Sequence, residues 1–337
     1  MLPEEKKLQL TISVYYPFSL MMSLTANILL LFIMKTTRSA LLKDIKYYLV
    51  NTTIFEIIVS ISTFFGQCRP VANHTTLAVF CYGPCKYFGQ NTCFFNFAIV
   101  QASVVAADVS SLLCFCYRYS LLQIHIQHTP NHKKVLALFS LFPISMLIFQ
   151  LFTDSDFEVV ERETRSMHPD YDYTYNSLIG FSNTKGLGGI IAQSAIALGF
   201  YLSPFIAFYY RRKINKILIT NNNNNQRIPV ALCKQLINGL VIQTLVPFFV
   251  YIPPYSYFLY SQFSGHSNLY AEYLLNILGS VTAFVNPLLT FYFVLPYRRA
   301  LSKRFCKYFP SEDDTDETTY PATGDNFQRR NTATTKF

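Results

Sequence analysis

Two carboxylates interrupt long uncharged stretches: Glu56 within 47–67 and Asp108 within 87–117. An ionisable side chain in an apolar run of that length is costly unless it faces a polar interior, so it marks ion, proton or signalling chemistry by default. Asn27 and Asn286 lie in two further apolar stretches. Glu56 comes ten residues after Lys46, Asp108 ten before Arg118, Asn286 ten before Pro296 and Asn27 eight before Lys35. At about 1.5 Å per helical residue, all four sit roughly 12–15 Å from one boundary. That common depth predicts one hydrogen-bonded cluster drawn from four helices. Two chemistries fit it: a switch or ion site whose bonding changes, or fixed polar glue.

Other reactive groups cluster less clearly. Cys68, Cys81, Cys85 and Cys93 fall close together between two apolar stretches and are disulfide candidates, with three full pairings open. A zinc reading of Cys81 and Cys85 lacks a nearby histidine in the usual spacing. His125, His128 and His132 resemble one histidine box of a membrane di-iron desaturase, but such sites need several boxes and the chain has six His. No Gly-rich phosphate loop and no nucleophile–base pairing stands out. The expectation is a protein that is not an enzyme and needs no metal or cofactor.

The elements that must position these groups follow from composition. Of 337 residues, 51% are hydrophobic and 14% charged, against about 25% charged in soluble domains. A membrane-crossing helix needs about 20 apolar residues. Seven stretches qualify: 8–34, 47–67, 87–117, 135–152, 186–210, 235–260 and 270–295. Backbone amides in lipid must bond within their own segment, so each is read as a helix. The fold class expected is all-α: an integral membrane seven-helix bundle over 1–310, followed by a disordered cytoplasmic tail, 311–337. The first stretch exceeds the roughly 7–15 residues of a signal-peptide core and lacks a small-residue cleavage site, so it reads as a retained anchor.

Lys and Arg fix the expected orientation. With the N-terminus outside, eighteen fall in cytoplasmic loops and the start of the tail, against seven outside. The net charge of +9 is then a topology signal and not a nucleic-acid footprint, because the basic residues are dispersed beside spans. Asn73-His74-Thr75 is a glycosylation acceptor in an outer loop. The acidic segment 153–185 reads as a second, solvated outer loop.

Further residues carry functional expectations. Gln101, Tyr251, Tyr255 and Glu272 are candidates to line a ligand pocket in the outer half, with Glu272 opposing a cationic ligand or reaching interfacial water. Pro247 and Pro287 are candidate hinges, since proline removes a helical hydrogen bond. Tyr297, Ala300, Leu301, Phe305 and Tyr308 keep helical spacing among basic residues, which predicts a short amphipathic helix on the membrane surface after the seventh span.

Several local patterns resemble nematode serpentine chemoreceptors, class delta in particular. They are Leu42-Lys43-Asp44, Gln67-Cys68-Arg69-Pro70, Gly83-Pro84-Cys85-Lys86, Phe115-Cys116-Tyr117-Arg118-Tyr119, and Asn286-Pro287-Leu288-Leu289 running on to Pro296-Tyr297-Arg298. The resemblance covers about 35–308. It implies a seven-helix receptor for small, odorant-like molecules at the plasma membrane of a chemosensory cilium, signalling through a heterotrimeric G protein. It places Arg118 at the transducer contact, and Asn286 and Pro287 at the inner hinge. Tyr117 stands where rhodopsin-like receptors carry an acid, so no adjacent ionic lock is expected. The second outer loop has no cysteine, so their usual bridge from the third span to that loop is impossible. The alternatives are a seven-span ligand-gated cation channel, which an inverted orientation would favour, and a transporter, which an internal repeat would favour.

Overall fold

A computed structural model describes residues 3–37, 45–123, 132–153, 155–173, 176–223, 230–265 and 268–305. Seven long helices make the body: α1 (Pro3–Thr36), α2 (Ile45–Gly66), α3 (Gln90–Gln123), α4 (His132–Leu151), α6 (Leu187–Asn223), α7 (Val230–Ser264) and α8 (Leu269–Phe293). Among the described residues, six of them combine the length and apolarity needed to cross a membrane. The remaining one, α6, is 37 residues long, is uncharged from Leu187 to Tyr210, and packs on α3, α4 and α7.

The bundle is apolar outside as well as inside. Leu10, Val14, Phe18, Met21 and Phe32 on α1, and Leu138, Leu141, Phe142, Ile148 and Phe149 on α4, are exposed. A contiguous apolar exterior of that extent is tolerated only where lipid replaces water. Serines, threonines, asparagines and Glu56 are turned inward. Lipid rewards no burial of apolar surface between helices, so close packing and inter-helix hydrogen bonds hold such a bundle together.

At the end of the bundle that carries the N-terminus, the connections are structured. β1 (Cys68–Ala72), β2 (Leu77–Cys81) and β3 (Ser177–Phe181) form an antiparallel sheet in the order β1-β2-β3. Cys68 pairs with Cys81, and Leu77 with Phe181. At Gly180 any Cβ would lie 1.9 Å from the Leu77 carbonyl oxygen, so only glycine lets β3 approach. α5 (Phe157–Met167) packs on β2 and β3, its first turn capped by the Asp156 carboxylate. The loop expectation for both segments is therefore corrected. They form a buried sheet and a capped helix, an addition to the expected helical bundle.

After α8 the chain turns into α9 (Leu295–Phe305). Tyr297 is buried against the bundle core, with Ala300 and Leu301 packed beside it. Arg304 lies over the Phe32 ring, 4.5 Å from its centre. The tail expectation for 311–337 and the loop histidines His125 and His128 lie outside the described residues.

Candidate functional site

Beneath the sheet, α2, α3, α6, α7 and α8 splay around a cavity of about 110 Å³. β1 and β2 roof it through Pro70 and Leu77. Its walls are mainly apolar, with Val59, Phe97, Val104, Ile196 and Phe258 among them. The polar atoms come from Thr63, Gln101, Gln193, Asn276, Ser280 and two tyrosines; among the described residues no Asp, Glu, Lys or Arg lines it. That combination suits a small uncharged ligand oriented by a few hydrogen bonds.

The sequence candidates divide here. Gln101, Tyr251 and Tyr255 all line the cavity. Gln101 Oε1 accepts from Gln150 Nε2 of α4 at 2.5 Å. Tyr251 donates to the Gly279 carbonyl at 3.0 Å, and Tyr255 to the Gln193 carbonyl at 3.2 Å, so both tyrosines tie α7 to its neighbours. Asn276, which sequence reasoning missed, donates to the Cys68 carbonyl at 2.5 Å and holds the roof on α8.

Glu272 does not line this cavity. Its carboxylate accepts from Arg69 Nε at 2.9 Å and lies 2.8 Å from Arg69 Nη2. Arg69 also donates to Glu5 of α1 at 2.8 Å. Tyr171 and Tyr273 face the guanidinium, their ring centres 4.3 and 4.7 Å away. The expectation that Glu272 opposes a cationic ligand is corrected: an internal cation occupies it. Two carboxylates and aromatic faces are what a buried guanidinium requires. The cage joins α1, β1, α8 and the α5–β3 connection.

Two titratable groups flank this end. Burial, and the charge of Arg69, hold the His168 imidazole below its ordinary value against a backbone hydrogen bond at Ala72. Its ring stacks on Tyr171 at 4.8 Å. Partial burial works against the Glu163 carboxylate, yet hydrogen bonds from the Thr75 amide (2.9 Å) and hydroxyl (2.8 Å) keep it below the usual carboxylate range. Asn73 is 1% exposed, and its Nδ2 donates to Thr76 Oγ1 and Thr164 Oγ1, each at 2.8 Å. A glycan has no room on that nitrogen in the folded chain, so the acceptor reading gives way to a structural one.

Deeper in the bundle, the structure gathers part of the expected polar cluster. Asn286 Nδ2 donates to Glu56 Oε1 at 2.8 Å. Gln243 of α7 donates to the Asn286 carbonyl and to Thr290 Oγ1. A void of about 10 Å³ adjoins Glu56, Gln243, Asn286 and Thr290. Asn27 takes another route: it donates to the Ala283 carbonyl at 2.8 Å, beside Ser23, which bonds Ser60. Asp108 is within electrostatic reach of Glu56, and one of its carboxyl oxygens is buried without a hydrogen bond. The four groups form two bonded units and one neighbour, and not a single bonded cluster.

Pro287 is buried in α8. Pro247 lies in α7 and Arg118 in α3, with both side chains outside the described part. His132, the last of the three box histidines, packs among Tyr47, Tyr48 and Tyr117. Cys85 and Cys93 form a disulfide. Cys68 and Cys81 lie beside it as thiols.

Known proteins fit this architecture. Squid rhodopsin superposes with a TM-score of 0.62 over 96% of this chain and 94% of its own, at 12% identity, a likeness of fold alone. Serpentine receptor class delta-51 of Caenorhabditis elegans is 67% identical over 335 residues, 99% of both chains. Serpentine receptor class delta-50 of the same organism is 31% identical over 90% of this chain and 93% of its own. The model of the serpentine type 7TM GPCR chemoreceptor family Srd matches residues 12–303. The class delta resemblance is thereby confirmed, and the chain belongs to the Srd family of seven-transmembrane chemoreceptors, which are receptors and not enzymes.

Proposed function

We propose that the chain is a plasma-membrane receptor, placed in a chemosensory cilium, with the sheet end outside, the cavity as its ligand site and a heterotrimeric G protein as its partner. The observation that carries this reading is the cavity under the sheet, mainly apolar and, among the described residues, lined by no ionised group. Its size is comparable with the engineered cavity of roughly 150 Å³ that takes up benzene. The ligand is accordingly small and uncharged, with one or two hydrogen-bonding groups for Thr63, Gln193 or Asn276.

The orientation rests on the positive-inside bias of Lys and Arg and on the disulfide at the sheet end, which suits an oxidising exterior. Signalling is a population shift: the ligand binds one arrangement of α3, α6, α7 and α8 better and raises its share. The Glu56–Asn286 bond with Gln243 is the polar element that rearranges, Pro247 and Pro287 are the points of bending, and Arg118 meets the transducer. α9 rests on the inner membrane surface, with Lys303 and Arg304 toward anionic lipid.

Expression in a heterologous cell, with an odorant panel and a second-messenger readout, tests this. A response that needs a G protein supports it. A ligand-evoked current that persists without any G protein overturns it in favour of a channel. An epitope ahead of Met1 that is labelled only after permeabilisation overturns the orientation.

A further inference from the structure

Four sulfurs meet under the sheet. Cys85 and Cys93 are bonded, and the sulfurs of Cys81, Cys85 and Cys93 lie within 4.8 Å of one another. The sulfurs of Cys68 and Cys81 stand 3.3 Å apart. All four residues are buried in one apolar cluster with Leu77, Phe94 and Phe181.

The strand register decides whether that last pair can close. The Tyr82 amide donates to the Gln67 carbonyl. Cys68 and Cys81, one step further in, are therefore a non-hydrogen-bonded pair of the antiparallel ladder. Pro70 on the same edge strand confirms the parity: with no amide hydrogen, it belongs at a position that donates nothing to β2. Residues opposed in a non-hydrogen-bonded pair have Cα atoms about 4.5 Å apart, side chains facing, at the short end of the range a disulfide spans. Gly66 supplies the room, since a Cβ there would meet the Cys68 sulfur at 2.8 Å. Closing the bond turns two side chains and leaves the backbone in place.

We propose that Cys68 and Cys81 form a second disulfide, which clamps β1 to β2 over the ligand cavity. One thiolate attacks the disulfide of a secretory-pathway thiol oxidoreductase and displaces one of its sulfurs. The second thiolate then attacks the mixed disulfide and closes the bridge. Two protons and two electrons leave the pair, and the oxidoreductase ends as a dithiol. Metal ligation by the four sulfurs is disfavoured. Two of the four are already bonded to each other, which leaves Cys68 and Cys81 alone of the four to ligate.

The clamp bears on ligand binding because of what hangs from β1. The Cys68 carbonyl holds Asn276, Arg69 anchors the ion cage, and Pro70 touches the cavity. Cys81 also lies within reach of both bonded sulfurs, so a Cys81 deprived of Cys68 is placed to attack Cys85–Cys93.

The proposal rests on the orientation with the sheet end outside, and the Cys85–Cys93 bridge is its internal control. The full-length receptor, collected by surface labelling, is denatured without reductant, alkylated with a maleimide and digested with chymotrypsin. Mass spectrometry should recover a Cys68–Cys81 linked peptide beside Cys85–Cys93, neither pair alkylated until reductant is added. Alkylated Cys68 and Cys81 beside an intact Cys85–Cys93 overturn the proposal, as does protection that a zinc chelator abolishes. Both pairs alkylated, together with a concealed N-terminal epitope, indict the orientation instead. The Cys68→Ser variant should yield Cys81 linked to Cys85 or Cys93, and the double variant Cys68→Ser/Cys81→Ser should keep Cys85–Cys93 alone. Unscrambled Cys85–Cys93 with free Cys81 in the single variant overturns the exchange geometry.

Discussion

Arg69 of β1 and Glu272 of α8 meet as an ion pair of 2.8 Å, with side chains 1% and 7% exposed, although 203 residues separate them. Glu5 completes the site from α1. Removing one member of such a buried group strands the others, which costs about 3–5 kcal/mol. Arg69→Ala leaves two carboxylates facing each other, so it should destabilise more than Glu272→Ala, which leaves Arg69 with Glu5. Replacing all three with Met should recover much of the loss. Thermal unfolding of the purified receptor in nanodiscs reads the order. An Arg69→Ala variant as stable as wild type would mean that the cage does not form.

The same end of the molecule should respond to acid. The folded state holds the His168 imidazole below its ordinary value, so the unfolded chain takes up the proton first as pH falls. The contribution of His168 is complete above about pH 6.5, the ordinary histidine value, and is lost as pH drops below it. Arg69, Tyr171 and the Ala72 backbone face the ring. Glu163 has the same sign in a lower window, losing its contribution as pH falls below about 4.5. Wild type should therefore lose more melting temperature between pH 8 and pH 5.5 than His168→Gln does. Equal losses would remove His168 from the account.

The helices were legible because lipid imposes long uncharged runs, and a fixed rise per residue put Glu56 and Asn286 at a level where they could meet, as they do. Rise gives height and not azimuth. Asn27 therefore shared the depth of Glu56 while facing the α8 backbone at Ala283. The sheet was illegible for a different reason. β1 and β2 are five residues each and buried throughout, so they lack the period-two alternation that marks a half-exposed strand. Arg69 counted as one more outer charge, because nothing local announces partners at positions 5 and 272. A lone arginine beside Cys and Pro between two apolar runs was the one available hint.

Glu56→Gln separates the two readings of the polar cluster. Glutamine keeps an oxygen at the Oε1 position, so the bond from Asn286 survives and the bundle should reach the cell surface normally. The ionisable carboxyl, and its interaction with Asp108, disappear. If the cluster rearranges during signalling, the two states lose a difference in energy; a shift of about 1.4 kcal/mol moves potency about tenfold. The expected outcome is normal display with at least that shift, for any panel odorant that activates the wild type. Normal display with unchanged potency would reduce the cluster to structural glue.

The cavity makes the sharpest demand on the ligand. Val104→Phe places a ring into a space that holds a molecule of about benzene size, on a helix whose neighbouring Gln101 is already bonded to α4. The ligand and the new ring cannot share it, so the response should vanish while display persists. Gln101→Leu is a poorer probe, because it also strands the fully buried Gln150, a loss of about 1–3 kcal/mol that bears on folding. Thr63→Val is cleaner: it keeps shape and removes one hydroxyl from the wall. If that hydroxyl binds the ligand, the variant should favour less polar odorants over the wild-type agonist. A Val104→Phe receptor that answers the panel as the wild type does would place the ligand somewhere other than beneath the sheet.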